Sequence, residues 1–446
     1  MAANLQSDTI VARATPAGRG GVGIVRVSGP QAAAVAESLL GSVPKPRYAT
    51  FSTFLDESGN TLDSGLALWF PGPNSFTGED VLELQGHGGP VVLDMLLERI
   101  QSLGVRQAEP GEFSKRAFLN DKLDLTQAEA IVDLIDSGSQ TAARAAHRSL
   151  QGAFSEAVLS LNDRLTELRV HVEAAIDFPD EDIDFLTDDA LLARVQTVRE
   201  NFADLNRSVR QGCLLRDGIS VVLAGRPNAG KSSLLNRLAG YDAAIVTDIP
   251  GTTRDLVREH IDLDGIPLHV IDTAGLRATD DVVELEGVRR TRGQLDAADL
   301  ALLILDSTEN DVTGELLADL PDGLQHIIVR NKSDLSGALP GVAEDGSVNI
   351  SATSGEGVTE LRDAIKNAVG YVQDEAGSIT ARRRHLAQIN IANEAFEQGV
   401  SQLEAGSGEL MADDLLQAQN ALANITGEFS SDDLLGEIFS NFCIGK

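Results

Sequence analysis

The sequence predicts a multidomain chain that joins α+β and α/β folds to a helical region: an N-terminal α+β domain (1–120), the first part of a helical domain (121–217), an inserted α/β domain (218–375) and the second part of the helical domain (376–446). Three observations carry this reading. The length is 446 residues, about three domains at roughly 150 residues each. The hydrophobic pattern changes period along the chain. The helical period that stops at Asp217-Gly218 also resumes after Gly377, so the stretch between reads as an insertion.

From Asp8 to Asn120, β-branched runs such as Ile24–Val27 and Val81–Leu84 alternate with glycine-rich turns, the pattern of short strands. From Lys122 to Arg216 turn signals thin out, and Phe154, Val158, Leu161, Leu165, Leu168 and Val172 recur at helical steps. An apolar strand at Ile219–Ala224 then opens a strand and helix alternation that runs to Ala376. Beyond Gly377, Leu386, Ile389, Phe396, Val400 and Leu403 restore one buried helical face, continued by Leu415, Leu416, Leu422 and Ile425.

Hydrophobic residues make up 42 %, enough for sizeable cores, and neither a collagenous nor a disordered composition is present. The 36 Lys and Arg stand against 68 Asp and Glu, a net charge of −32. Such a field repels polyanions, so any nucleic acid must be recognised locally and not by bulk attraction. The two cysteines, Cys213 and Cys443, are too few for a disulfide framework. No membrane-length apolar run and no signal-peptide pattern occur, so a cytoplasmic protein without a membrane partner is expected.

Gly225-Arg226-Pro227-Asn228-Ala229-Gly230-Lys231-Ser232 fits G-x-x-x-x-G-K-S between a strand and the helix-forming Ser233-Leu234-Leu235-Asn236. Glycines let backbone N–H groups wrap phosphates, Lys231 reaches the terminal ones and Ser232 offers a hydroxyl to Mg²⁺. Asn331-Lys332-Ser333-Asp334 follows an apolar strand and is the base-reading N-K-x-D element. The Asp334 carboxylate can accept from N1–H and the 2-amino group of guanine, which adenine does not present, so the ligand is GTP. Asp272-Thr273-Ala274-Gly275 is the D-x-x-G arrangement, with Asp272 holding the metal's water shell and Gly275 meeting the γ-phosphate. Thr252-Thr253, within the segment Thr247, Asp248, Ile249, Pro250, Gly251, supplies the switch threonine, and Ser351-Ala352-Thr353 the loop that usually closes over guanine. Together these elements, in this order and spacing, predict a P-loop Ras-like G domain. Leu276 stands where Ras-like catalysis places a water-orienting Gln. Glu284 reads either as its replacement on a mobile segment or as part of a solvated acidic loop.

Gly18-Arg19-Gly20-Gly21-Val22-Gly23 satisfies G-x-G-x-x-G, yet Val22–Val27 is strand-like and leaves no helix N-terminus for a pyrophosphate. These glycines read as a tight turn or a close backbone approach. Ser75–Gly89 is dense in polar and glycine residues, as a pocket is; within it His87 is either catalytic or a hydrogen-bonded turn residue. Arg382-Arg383-Arg384-His385 reads as a solvated helix face. An apolar helix (Leu434, Leu435, Ile438, Phe439, Phe442) leads into the final Cys443-Ile444-Gly445-Lys446, so a docked tail is expected.

Taken together, Asp8-Thr9-Ile10 with Gly18–Gly29, Ser75–Gly89, Arg116–Asn120 through Ile135, the G motifs inside a helical domain and the C-I-G-K end resemble the MnmE (TrmE) family of tRNA-modification GTPases. The resemblance implies an N-terminal domain that binds a tetrahydrofolate derivative and forms a homodimer, and a G domain activated by K⁺. It further implies a flavoprotein partner, MnmG (GidA), which carries FAD. With it the family adds an aminomethyl or carboxymethylaminomethyl group to C5 of the wobble uridine of certain tRNAs. Carried over by position, Asn228, Thr247, Ile249 and Thr252 are K⁺ ligands, Ser232 and Thr253 Mg²⁺ ligands, and Glu284 the water-orienting catalytic residue. Arg26, Glu83, Lys122 and Lys446 fall on folate positions, and Cys443 on the tail cysteine linked to the chemistry. Asn228 to Ser233, Thr247 to Thr253, Asp272 to Gly275 and Asn331 to Asp334 form the GTP contacts. Two positions depart from the pattern: Thr353 stands where GTPases commonly carry Lys, and Ala17 where Pro is expected. A regulatory or ribosome-assembly GTPase of the Era-like kind shares the G motifs but leaves the N-terminal segments and the tail unexplained. A folate-dependent transferase with a vestigial GTPase is disfavoured by the intact Lys231, Ser232 and Asp272.

Overall fold

The computed structural model describes residues 8–177, 189–241, 260–272, 298–310, 312–318, 320–321, 323–371, 378–428, 432–440, 442 and 445. It divides into two compact units, Met1–Val132 with Ala423–Lys446, and Asp133–Leu422.

The first unit is built on a six-stranded sheet: β1 (Ile10–Arg13), β2 (Gly20–Ser28), β3 (Thr50–Leu55), β4 (Thr61–Phe70), β5 (Val81–Gly88) and β6 (Arg106–Gln107), in the order β3-β4-β5-β2-β1-β6. All pairings are antiparallel except β1 with β6. Helices Ala32–Leu40 and Pro90–Gln101 contribute Val35, Leu39, Leu93 and Leu96 to one core with Val25, Val27, Leu82 and Leu84 of the sheet. The period-2 pattern fixes which side faces that core, because successive strand residues point to opposite faces. The glycine run at Gly20–Gly23 lies inside β2 and opens no helix, as its β-branched sequel predicts. Gly23 is a close approach: a Cβ there would stand 2.7 Å from Leu93.

The C-terminal segment is docked within this same unit. Leu435, Ile438, Phe439 and Phe442 are buried in a cluster with Leu125 and Ala128. Gly111, at φ +66°, lets the tail helix approach so closely that a Cβ would stand 2.5 Å from the Phe439 carbonyl. Gly445 lies against β1, its Cβ position 2.1 Å from the Arg13 carbonyl.

The second unit combines long helices with a seven-stranded sheet. Phe154, Val158, Leu161, Leu165, Leu168 and Val172 are all buried along the helix Ala153–Asp177. Each such side chain contributes roughly 2 kcal/mol of burial free energy. Ile389, Phe396, Val400 and Leu403 are likewise buried on Arg383–Glu404, whereas Leu416 on Gly408–Thr426 is 44 % exposed. It adjoins the buried Leu415, and neighbours 100° apart on a helix do not share a narrow face. The run at Arg382–His385 differs from the solvated face its charge predicts. His385 is buried, packs on the Phe154 ring and accepts from the Arg382 N–H through Nδ1 (3.0 Å), capping the helix it begins. Arg382 itself pairs with Asp133, and among these four the guanidinium of Arg383 is the one turned to solvent. A partner 249 residues away supplied what a local reading of charge cannot see.

The sheet comprises β7 (Ile219–Ala224), β8 (His260–Leu263), β9 (Ile266–Asp272), β10 (Leu300–Asp306), β11 (His326–Asn331), β12 (Gly341–Val342) and β13 (Val348–Asn349), in the order β12-β13-β11-β10-β7-β9-β8. Its inner pairings are parallel and its two outermost antiparallel. β10 reads L-A-L-L-I-L before its terminal Asp306, the continuous apolar run of a strand covered on both faces.

Candidate functional site: a nucleotide cradle and a charged N-terminal face

β7 lies between β9 and β10, and its carboxyl end passes into Gly225 and then the helix Lys231–Tyr241. Ligands in such open sheets bind outside the carboxyl ends of the strands. Two glycines are sterically required here. A Cβ on Gly225 would stand 2.4 Å from the Ile304 carbonyl, and one on Gly230, at φ +95°, 2.1 Å from the Asn331 Nδ2. Asn228 holds the left-handed conformation at φ +64°. The loop therefore turns tightly into a helix N-terminus, a place that favours phosphate. Lys231 donates to the carbonyls of Gly225 (2.8 Å) and Arg226 (3.1 Å), so its ammonium spans the loop. Ser232 and Ser233 are exposed at the first turn.

The end of β11 locks onto this loop. Asn331, buried, donates from Nδ2 to the Ala229 carbonyl (2.8 Å) and accepts from the Ala352 N–H through Oδ1 (3.0 Å). One side chain thus joins the phosphate loop to the loop Ser351–Thr353. The Ser333 N–H donates to the Ile350 carbonyl (3.0 Å), and Asp334 is exposed beside it. Arg237 adds a further tie, from Nε to the Ala352 carbonyl (3.1 Å) and from Nη2 to that of Thr353. Lys332, at φ +66°, ion-pairs with Asp306 at the end of β10. Burial disfavours the Asp306 charge, but the Lys332 ammonium and the Thr308 hydroxyl and N–H outweigh it and hold the carboxyl at about 2.

Asp272 ends β9 and pairs in register with Leu223 of β7, which brings its backbone beside the phosphate loop. The Asp272 side chain lies outside the described residues, as do Thr273, Ala274, Gly275, the segment Thr247 to Thr253, Glu284, Cys443 and Lys446.

In the first unit, Arg26 of β2 and Glu83 of β5 are register partners, and Arg26 Nε donates to Glu83 Oε1 at 2.9 Å. The Arg26 guanidinium also lies over the rings of Phe76 (5.4 Å) and Phe113 (5.7 Å). Lys122 is exposed, and a Cβ on Gly78 would stand 3.4 Å from its Cδ. Asn120, two residues earlier, donates to the Thr77 carbonyl (2.7 Å). His87 stands on β5 and not in a turn; its Nδ1 is 2.7 Å from Asp63 Oδ1, and its N–H donates to Asp63 Oδ2. Sequence reasoning missed the ionic cluster behind this face. Buried Arg116 meets Asp8, Glu79 and Glu112, while Arg106 meets Asp8 and Glu112. Burial raises the Glu112 carboxyl, yet Arg106 and Arg116 together with the Glu109 N–H bring it below the usual range. The available signal was the Glu112 to Arg116 spacing of four on a helix.

The family model for the MnmE helical domain matches residues 125–443, and that for the GTP-binding protein TrmE N-terminus matches residues 9–122. The tRNA modification GTPase MnmE of Erwinia tasmaniensis is 59 % identical over 451 residues, covering 99 % of both chains. Those of Pseudomonas syringae pv. tomato and Proteus mirabilis are 58 % and 57 % identical, with 99 % of this chain and at least 99 % of each relative covered. With a family model over more than half the chain and such relatives over nearly all of it, this chain belongs to the MnmE family of tRNA modification GTPases.

Proposed function

We propose that this chain hydrolyses GTP to drive modification of tRNA. Acting with K⁺ and Mg²⁺, and with the flavoprotein MnmG (GidA) carrying FAD, it adds an aminomethyl or carboxymethylaminomethyl group to C5 of the wobble uridine. The observation that carries the reading is Asn331, which ties the phosphate loop to the base-closing loop and so builds phosphate and base recognition into one rigid unit. In this reading Lys231 exchanges its loop carbonyls for the terminal phosphates, while exposed Asp334 accepts from the guanine edge. An adenine leaves that carboxylate unpaired, a mismatch worth roughly 10⁴-fold in discrimination.

Mg²⁺ would be held by Ser232 and Thr253 and would neutralise charge on the phosphates. Ser232, exposed at the helix start, fits that role. K⁺ would be held by Asn228, Thr247, Ile249 and Thr252; Asn228, raised on its left-handed turn, offers the carbonyl oxygen such an ion takes. Glu284 orients the attacking water.

The tetrahydrofolate derivative would bind in the N-terminal domain, where Arg26 and Glu83 pair beside the Phe76 ring, with Lys122 and Lys446 completing the set. The domain limits at 120, 217 and 375, a homodimer and a cytoplasmic location complete the reading. Among the described residues no helix is long and apolar enough to cross a membrane. Mass spectrometry of nucleosides from the tRNA of a deletion strain tests it. The modified wobble nucleoside must vanish and return with this chain; an unchanged nucleoside profile refutes the proposal.

A further inference from the structure

Helix Lys231–Tyr241 begins at the phosphate loop, and its third, sixth, seventh and tenth residues, Ser233, Asn236, Arg237 and Gly240, face Ala352 and Thr353. Ser233, Arg237 and Gly240 recur at steps of four and three, so they share a helix face. That face borders a cavity of about 630 Å³ whose other wall is Ala352 and Thr353. Across it Arg237 spreads its guanidinium, Nε to the Ala352 carbonyl and Nη2 to the Thr353 carbonyl. The N–H of Ala352 is meanwhile accepted by Asn331. Successive polar groups of the loop are therefore held from two elements, its amide by β11 and its carbonyls by the helix.

Position 353 gives this arrangement its consequence. A Lys there would lay an aliphatic stem along a bound base, whereas Thr353 is too short to form such a cover. Ser351 and Ala352 are buried and anchored, but Thr353 is exposed, so retention of the base depends on how its end of the loop is held. We propose that Arg237 is a positioning residue: it fixes the base-closing loop Ser351–Thr353 and so sets how long, and how selectively, guanine nucleotide is held. This rests on the reading of Asp334 as the base-reading carboxylate. An Arg fork suits the task because it donates in two fixed directions at once, which an ammonium does not.

The experiment compares full-length wild-type protein with Arg237→Ala, Arg237→Lys and Asp334→Asn, using release of fluorescent GDP and steady-state GTP hydrolysis with ATP as competitor. Arg237→Ala is expected to speed GDP release and raise KM for GTP about tenfold each, the loss of roughly one charge-assisted hydrogen bond, with kcat within about twofold. Arg237→Lys should recover only part of the loss. Release and KM at wild-type values in Arg237→Ala overturn the proposal. So does full rescue by Lys, which would show that charge alone suffices, and so does a fall in kcat with no change in KM. If Arg237→Ala proves unfolded, the Lys variant decides by the same readouts. Asp334→Asn separates the two levels. If it keeps full preference for GTP over ATP, the reading of the base site fails; if it loses that preference while Arg237→Ala changes nothing, only the role of Arg237 fails.

Discussion

Asp133 accepts from Arg382 through Oδ1 at 2.9 Å, joining a helix that precedes the α/β domain to the segment that returns from it. The same oxygen accepts from Arg216 at 2.8 Å, three residues before β7. The exit and the return of the inserted domain are thus fastened at one carboxylate that is 5 % exposed. Ser149 repeats the device, donating to the Thr380 carbonyl (3.2 Å) and accepting from the Thr380 N–H (3.0 Å).

Asp133→Asn keeps the shape and removes the charge between two guanidinium groups. Both arginines have further partners and Arg216 is 30 % exposed, so the loss falls below that of a fully buried pair, at about 2 kcal/mol. Urea unfolding should show a lower midpoint at unchanged slope. A midpoint equal to wild type would show that the carboxylate contributes nothing to the joint.

In the proposed reading Asn228 holds K⁺ where other GTPases use an arginine finger, so hydrolysis is expected to run faster in KCl than in NaCl at matched ionic strength. Glu284→Ala should lower kcat about 100-fold while GTP affinity stays near wild type, the signature of lost water positioning. Equal rates in the two salts remove the cation from the mechanism. Normal turnover in the variant returns Glu284 to the solvated-loop reading.

Deleting residues 443–446 should abolish folate binding and the modified nucleoside but leave GTP hydrolysis intact. Gly445 is docked on β1 within the first unit, and β1 pairs with β2, which carries Arg26. Isothermal titration with a reduced folate and nucleoside mass spectrometry read the two functions separately. A truncated protein that restores the nucleoside would reduce the tail to packing.

Cys213 should resist alkylation. Burial first, then the neighbouring Asp217 carboxylate, push its thiol up to about 11, so little thiolate exists at pH 8. In a Cys443→Ser variant, iodoacetamide labelling should be slow in native protein, accelerate as pH rises toward 11, and become rapid on unfolding. The sign for stability follows: a proton held more tightly in the folded state stabilises it below the ordinary thiol pKa, a contribution lost as pH rises from about 9 to 11. Fast native labelling at pH 8 would contradict this.

The elements that the chain states locally were legible without coordinates. Gly225, Gly230, Lys231 and Asn331 announce themselves because a phosphate loop and a base-reading loop need those residue types at those spacings. The stripe from Phe154 to Val172 reads as a buried face because helical periodicity is a property of neighbours in sequence. What the tertiary structure decided are the partners of groups whose chemistry is satisfied far along the chain. Arg237 carries no motif, and its meaning comes from two carbonyls more than a hundred residues away. Arg382 and His385 read as solvated charge until Asp133 and Phe154 are folded against them. Arg26 and Glu83 are separated by 57 residues and become one ion pair only through the register of β2 on β5. Local pattern encodes periodicity and loop chemistry, whereas the pairing of charges depends on which strands and helices meet, and that is set by burial of the whole chain.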